Sequence, residues 1–269
     1  MGLKVGFCGY GVMSSSLAQG LLAKDSSFQI LAFDPVLSKE EQAKHQNVRF
    51  VASNKDLALA VPDLLFLGVK PQYLASVCQE IKSALNVEKT LVVSIAAGVT
   101  AATLESYLAP KTRVVRTMPN ICCTVGRMAS GACVGKSATG GDLDLVVKVL
   151  NLVGLCTPVA NEDLLHAVTG VSGSGPAYIF LVIEALADGG VKNGLPRATA
   201  LELASHMVRG AAEMVITNKQ HPGVLKDQVC SPGGTTIAGV AKLEECGLRS
   251  ALIQAVTATV ERSKELSKI

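Results

Sequence analysis

Leu3-Lys4-Val5-Gly6-Phe7-Cys8-Gly9-Tyr10-Gly11-Val12-Met13-Ser14 is the stretch whose reading decides the fold. The run ending at Cys8 is apolar without alternation, as expected of a strand buried on both faces. It passes directly into Gly-x-Gly-x-x-Ser, and a helical pattern follows over Val12–Lys24. Gly9 permits the tight turn, and Gly11 lets the backbone approach a pyrophosphate. The third position packs helix against strand, where Ser14 stands in place of Gly or Ala. The helix start would hold the diphosphate with its free N–H groups and its dipole. By itself the motif reads equally well as a structural glycine turn. Asp34 lies about 23 residues after Gly11 and ends the second strand-like run, close to where a ribose-binding acid is expected. Motif and acid together point to dinucleotide binding.

Outward from this motif, short apolar runs alternate with helical stretches through the first 160 residues. The runs are Leu3–Cys8, Phe28–Phe33, Val48–Ala52, Leu64–Val69, Thr90–Ala96 and Arg113–Met118. The helical stretches include Val12–Lys24, Pro71–Leu85 and Thr100–Leu108, with Pro71 at a first helical position. Such alternation predicts right-handed βαβ units in a doubly wound sheet. Gly131–Gly135 and Cys156–Val159 would extend it. Beyond Asn161 only helices are predicted: Glu162–Thr169, Pro176–Val191, Arg197–Asn218, Thr235–Glu245 and Leu248–Ser267. The predicted class is therefore an α/β, Rossmann-like doubly wound domain over 1–160 and an all-α dimerisation domain over 161–269. Ala177–Ala187 is apolar on nearly every face, so it must be enclosed. The expected enclosure is a homodimer built on these helices.

Composition narrows the function classes. Of 269 residues 49% are hydrophobic and 17% charged, with tryptophan absent, which suits a packed core rather than disorder. The net charge is +3 and the basic residues are scattered, so nucleic acid is not an expected partner. The longest wholly apolar runs, such as Ala177–Ile183, are too short to span a bilayer, and the N-terminus lacks a signal-peptide pattern. A soluble, cytoplasmic protein is expected. The eight cysteines include no Cys-x-x-Cys pair and read as reduced, small hydrophobes. His45, His166, His206 and His221 show no ligand spacing, so no metal is expected.

Ligands of doubly wound sheets bind at the carboxyl ends of the strands. Candidate contacts there are Asn54, Val69-Lys70-Pro71, Ala96-Ala97-Gly98 and Met118-Pro119-Asn120. Each alone has an ordinary turn or packing explanation. Asp34 can accept bonds from ribose hydroxyls and repels a 2′-phosphate, which favours NADH and leaves NADPH open. In the helical half, Ser172-Gly173-Ser174-Gly175-Pro176 and Ser231-Pro232-Gly233-Gly234-Thr235-Thr236 each precede a helix. Consecutive N–H groups at such starts make a carboxylate site, although Gly-Pro also simply interrupts helices.

With these segments the chain resembles pyrroline-5-carboxylate reductase over residues 3 to 267. The likeness is carried by Gly-Tyr-Gly-Val-Met at 9–13, Val-Lys-Pro at 69–71, Arg-Thr-Met-Pro-Asn at 116–120 and Ser-Gly-Ser-Gly-Pro-Ala-Tyr at 172–178. It continues with His-Pro-Gly-Val-Leu-Lys-Asp at 221–227 and, most specifically, Ser-Pro-Gly-Gly-Thr-Thr-Ile-Ala-Gly at 231–239. The resemblance implies reduction of Δ1-pyrroline-5-carboxylate to L-proline with NAD(P)H, the last step of proline synthesis. It implies a homodimer, with assembly to a decamer (a pentamer of dimers) frequent among relatives. It also implies cofactor contacts at Cys8, Gly9, Tyr10, Gly11, Val12, Met13, Asn54, Val69, Lys70 and Ala97. Glu162, Gln228, Thr235 and Thr236 are implied as substrate-site positions, Gln228 standing where many relatives carry Asn. Pro71 and Asn120 join the cofactor candidates from their strand ends, and Ser231, Gly233 and Gly234 join the substrate candidates from the loop.

Reducing a carbonyl usually requires a proton donor. A protonated cyclic imine is already an activated electrophile, so positioning is the main demand. The expectation is that the Gly233–Thr236 amides and hydroxyls hold the carboxylate and that the Thr236 hydroxyl bonds the ring nitrogen. Two rivals remain at this stage. A 3-hydroxyacid dehydrogenase would place a lysine on the helix after a glycine-rich turn, but Pro176–Val191 has none before Lys192. A non-catalytic dinucleotide sensor would have little use for the Gly233–Thr236 loop.

Overall fold

A computed structural model describes residues 2–267. Its sheet is built from β1 (Lys4–Cys8), β2 (Gln29–Phe33), β3 (Val48–Phe50), β4 (Leu64–Leu67), β5 (Leu91–Ser94), β6 (Val114–Met118), β7 (Met128–Val134) and β8 (Gly154–Pro158). Between the strands run α1 (Val12–Lys24), α2 (Lys39–Ala43), α3 (Asn54–Leu59), α4 (Leu74–Lys82), α5 (Ala101–Tyr107) and α6 (Gly140–Leu150). After them come α7 (Leu164–Val168), α8 (Gly175–Lys192), α9 (Arg197–Asn218), α10 (Pro222–Val229), α11 (Thr235–Glu245) and α12 (Leu248–Leu266).

Eight strands lie in the order β3-β2-β1-β4-β5-β6-β7-β8. The first six pair in parallel, as βαβ crossovers require. Gly131–Gly135 and Cys156–Val159 do extend the sheet, but β7 runs antiparallel to β6. The sequence reading did not foresee that reversal. A 3-10 turn at Ile121–Val125 joins β6 to β7, and without a crossover helix the chain must return antiparallel. The short helices α2, α3 and α10 were also not foreseen. They carry little apolar periodicity and rest on caps, such as the reciprocal Ser38–Glu41 box of α2.

The central strands β1, β4, β5 and β6 are buried on both faces, so their side chains feed two cores, whereas the edge strands β3 and β8 are largely open. Val5, Phe7, Phe66, Val93 and Val115 pack with Leu17 and Leu21 of α1 and with Val146 and Val149 of α6. On the other face Leu65, Leu67, Val92 and Val114 pack with Leu57, Leu74, Ile81 and Leu104. Successive residues of β4 thus serve opposite cores, as the pleat dictates. Each fully buried Leu or Phe contributes roughly 1.5–3 kcal/mol.

The chain divides into two compact units. One comprises the residues up to Ser174 and those from Ala258 onward, the other Gly175–Thr257. The sequence reading set the boundary at 160/161 and gave the C-terminal helix wholly to the second domain. The difference has a physical cause. A Cβ on Gly131 of β7 would stand 2.8 Å from Val168 and 3.2 Å from Leu165, so α7 lies directly on the sheet. Ser263 and Leu266 of α12 also pack within the first unit, as described below.

In the second unit α8 and α9 approach through small residues. Ala187, Ala200 and Ala204 are buried, and a Cβ on Gly190 would stand 3.1 Å from that of Ala200. Much apolar surface remains exposed, including Phe180 (61%), Leu181 (65%) and Ile216 (69%). The enclosure expected for Ala177–Ala187 is therefore not supplied by this chain. The helical stretch Leu164–Lys192 is also long and apolar enough, by length and composition, to cross a membrane. Reading Ala177–Ile183 in isolation understated it, because α7, a π turn over Thr169–Gly173 and α8 follow one another with only Ser174 between the last two.

Candidate active site

In this sheet the strand order reverses between β1, which leads to β2, and β4, which opens the other half. Gly9 follows β1 with φ +85, a left-handed conformation that glycine adopts freely. A Cβ there would stand 2.7 Å from Val69 Cγ1 and 3.0 Å from the backbone of Gly68 and Val69. The turns after β1 and β4 are thus pressed together, and Gly9 is what allows it. Gly11 is exposed, and a Cβ there would meet nothing within 4 Å. It is the N-cap of α1 and makes no side-chain cap bond, and no acid stands in the first turn. The N–H groups of that turn have no intrahelical acceptor. Open space, free donors and a helix dipole fit a dinucleotide diphosphate.

Ser14, the third motif position, is buried against Gly68, where any Cβ would collide with the Ser14 hydroxyl. Gly68 was not singled out in the sequence; its only signal was a glycine inside the apolar run Leu64–Val69. Cys8 and Tyr10 are buried supports of the turn, and Tyr10 packs edge-on against His45 at 5.1 Å. Val12 is 64% exposed beside the turn and Met13 is half-buried.

Asp34 has a structural role that the sequence did not suggest. Its Oδ2 accepts from the Tyr10 N–H at 2.8 Å and its Oδ1 from the Val36 N–H at 3.0 Å. It therefore ties the end of β2 to the glycine turn, while each oxygen retains a lone pair for a further donor. Asn54 is buried and donates from Nδ2 to Glu80 Oε2 at 2.8 Å. Lys70 and Pro71 are exposed at the start of a 3-10 turn after β4. Ala97 is exposed after β5 and precedes Gly98, which has φ +77. Asn120 is engaged internally: it donates to the Ser172 carbonyl at 2.9 Å and accepts from the Ala129 N–H at 3.3 Å.

Glu162 stands in the first unit. Its Oε1 accepts from Arg116 Nη1 and from the Ala101 N–H, both at 2.7 Å. The Arg116 side chain is only 3% exposed, so Glu162 is the counter-charge of a buried guanidinium. Nearby, buried His166 has Nδ1 2.8 Å from Ser263 Oγ. Burial and the Arg116 charge hold this imidazole below its ordinary pKa.

The second unit carries the Ser231–Thr236 turn. Gly233 has φ +65, and a Cβ there would meet nothing within 4 Å. A Cβ on Gly234 would collide with the Ser231 hydroxyl, and the Gly234 N–H donates to the Ser231 carbonyl at 3.0 Å. Gly234 is the N-cap of α11, and it offers no side-chain cap. The helix therefore starts with Thr235 and Thr236 at its first two positions and with unsatisfied N–H groups beside them. Thr235 is exposed and Thr236 half-buried. Gln228, on α10, is exposed, its Nε2 3.5 Å from Gln220 Oε1.

Burial raises the thiol pKa of Cys8, of Cys78 to about 12 and of Cys133 to about 11, which suits small hydrophobes. His221 caps α10 by accepting from the Gly223 N–H at 3.1 Å. Among the described residues no three His, Cys, Asp or Glu side chains converge as metal ligands.

Comparison with known proteins accounts for both halves. Residues 162–266 match the family described as pyrroline-5-carboxylate reductase dimerisation. Residues 4–98 match the family described as NADP oxidoreductase, coenzyme F420-dependent. A pyrroline-5-carboxylate reductase of Methanosarcina acetivorans is 47% identical, with 98% of each chain covered. The solved pyrroline-5-carboxylate reductase of Coxiella burnetii superposes with TM-score 0.92 at 36% identity, covering 100% of both chains. The pyrroline carboxylate reductase of Plasmodium falciparum, solved with NADP bound, gives TM-score 0.86 at 32% identity over 98% of each. With relatives this similar from end to end, the chain belongs to the pyrroline-5-carboxylate reductase family.

Proposed function

We propose that this protein reduces Δ1-pyrroline-5-carboxylate to L-proline with NAD(P)H, the closing step of proline biosynthesis. The observation that carries the reading is the Ser231–Thr236 turn, where free N–H groups and two threonine hydroxyls cluster at an uncapped helix start. A dinucleotide turn alone serves many oxidoreductases; a carboxylate cradle beside a hydroxyl suits a cyclic imino acid.

NAD(P)H, when bound, supplies the hydride. The chain's own residues position and protonate. The N–H groups and hydroxyls of Gly233–Thr236 hold the substrate carboxylate, and Ser231 and Gln228 of the same unit complete its surroundings. The Thr236 hydroxyl bonds the ring nitrogen and relays to it a proton taken from solvent water, so that the protonated imine accepts the hydride at carbon and becomes the amine while the hydroxyl is regenerated. Cys8–Met13, Asn54, Val69–Pro71, Ala97 and Asn120 shape the cofactor site. The lone pairs left on Asp34 accept ribose hydroxyls, and its charge opposes a 2′-phosphate; we therefore assign NADH as the better cofactor.

The apolar face of α8 and α9 is covered by a second copy of the chain. The dimerisation-family match across these helices supports that occupant over a bilayer. Dimers associate further into decamers, and the enzyme works in the cytoplasm.

The test is oxidation of NADH and NADPH with pyrroline-5-carboxylate, followed by the loss of reduced-nicotinamide absorbance. Turnover with a lower KM for NADH supports the reading; no turnover with either cofactor overturns it. Thr236→Ala is expected to bind cofactor normally and to lose about 10- to 100-fold in kcat/KM, the worth of one hydrogen bond to a charged group. Unchanged kcat and substrate KM would remove Thr236 from this role.

A further inference from the structure

Helix α12 buries one residue among those described, and it is a serine, Ser263. Its hydroxyl bonds the buried imidazole of His166 at 2.8 Å, across 97 residues of chain. Three residues further on, Leu266 lies over the turn that follows β5. A Cβ on Gly98 would stand 3.5 Å from Leu266 Cβ and 3.6 Å from its carbonyl oxygen, ordinary contact distances. The same turn is held at its far end by Glu162, which accepts from the Ala101 N–H. An apolar seam would let a helix slide; a hydroxyl–imidazole bond fixes its register, because moving it leaves a buried polar atom unpaired.

We infer that the last turn of α12 braces the Ala97–Gly98 turn, and that Ser263, His166 and Leu266 are positioning residues for cofactor binding. The inference rests on the proposed contact between Ala97 and NAD(P)H. A turn without its brace samples other shapes, and the apparent Kd rises as the competent fraction falls. Interactions made after cofactor has bound are untouched, so turnover at saturating cofactor holds.

The experiment uses the full chain in its natural assembly and measures Kd for NADH and NADPH by fluorescence titration, with kcat at saturating cofactor. Ser263→Ala is expected to raise the cofactor Kd about 3- to 10-fold, the effect of one buried hydrogen bond, with kcat within about twofold. Leu266→Ala, a change at a half-exposed helix end, should raise it roughly threefold, and Lys264→Ala, exposed on the same turn, should not. Adding His166→Ala to Ser263→Ala should cost little more, because the pair acts as one. If Ser263→Ala fails to fold, Leu266→Ala decides alone. Wild-type Kd in the folded variants overturns the inference, as does a loss confined to kcat. A wild-type chain that binds neither cofactor overturns the functional reading, and the inference with it.

Discussion

Gly9→Ala is expected to raise the cofactor Kd by about 100-fold or more, because the turn that shapes the site cannot accept a methyl group. The added Cβ would stand 2.7 Å from Val69 Cγ1 and 3.0 Å from two backbone atoms of the neighbouring turn. Val69 could rotate, but the backbone can yield only by separating the turns after β1 and β4. The left-handed φ of +85 adds a penalty of about 1–2 kcal/mol for any side chain. Overpacking adds about 1–3 kcal/mol, so the melting temperature should fall by roughly 4–20 °C. Gly11→Ala separates the two effects. Its φ is −71 and its Cβ would meet nothing within 4 Å, so stability should hold. The methyl group would occupy the space proposed for the diphosphate, and cofactor affinity should fall all the same. Thermal melts and NADH titrations of both variants check this. Tight binding by Gly9→Ala would refute the assignment of the turn.

Glu162→Ala is expected to destabilise the first unit by about 3–5 kcal/mol, because it strands a buried charge. Arg116 is 3% exposed, and its Nε already lacks a protein partner. Without the carboxylate, the guanidinium loses its counter-ion and the Ala101 N–H loses its acceptor. The melting temperature should drop by roughly 6–20 °C. Glu162→Gln should lose less, since the amide oxygen can still accept one of the two bonds. Arg116→Met in the Glu162→Ala background should recover much of the stability, because removing both charges avoids the desolvation cost. A residue that only contacts substrate would behave otherwise, with an unchanged melt and a raised substrate KM. An unaltered melting curve for Glu162→Ala would therefore leave it a ligand and nothing more.

The two variants show where sequence reading reaches and where it stops. Gly9, Gly11 and Asp34 could be singled out as candidates because a dinucleotide turn would need those residue types within a short, ordered stretch. Asp34's grip on the Tyr10 N–H was not legible, since it depends on how closely the end of β2 approaches the turn. Gly233, Gly234, Thr235 and Thr236 were legible for the same local reason as the glycine turn. The pairing of Arg116 with Glu162 was hidden by 46 residues of intervening chain, and that of His166 with Ser263 by 97.

The βαβ order, the glycine turn after β1, the helical second half and the Ser231–Thr236 turn were determined by the sequence alone, because each follows from periodicity or from conformations open to few residue types. The antiparallel β7, the division after Ser174, the return of α12 to the first unit and the burial of Arg116 were decided only in three dimensions. Those features depend on which distant surfaces meet, and contacts between residues far apart in the chain leave no mark on local pattern.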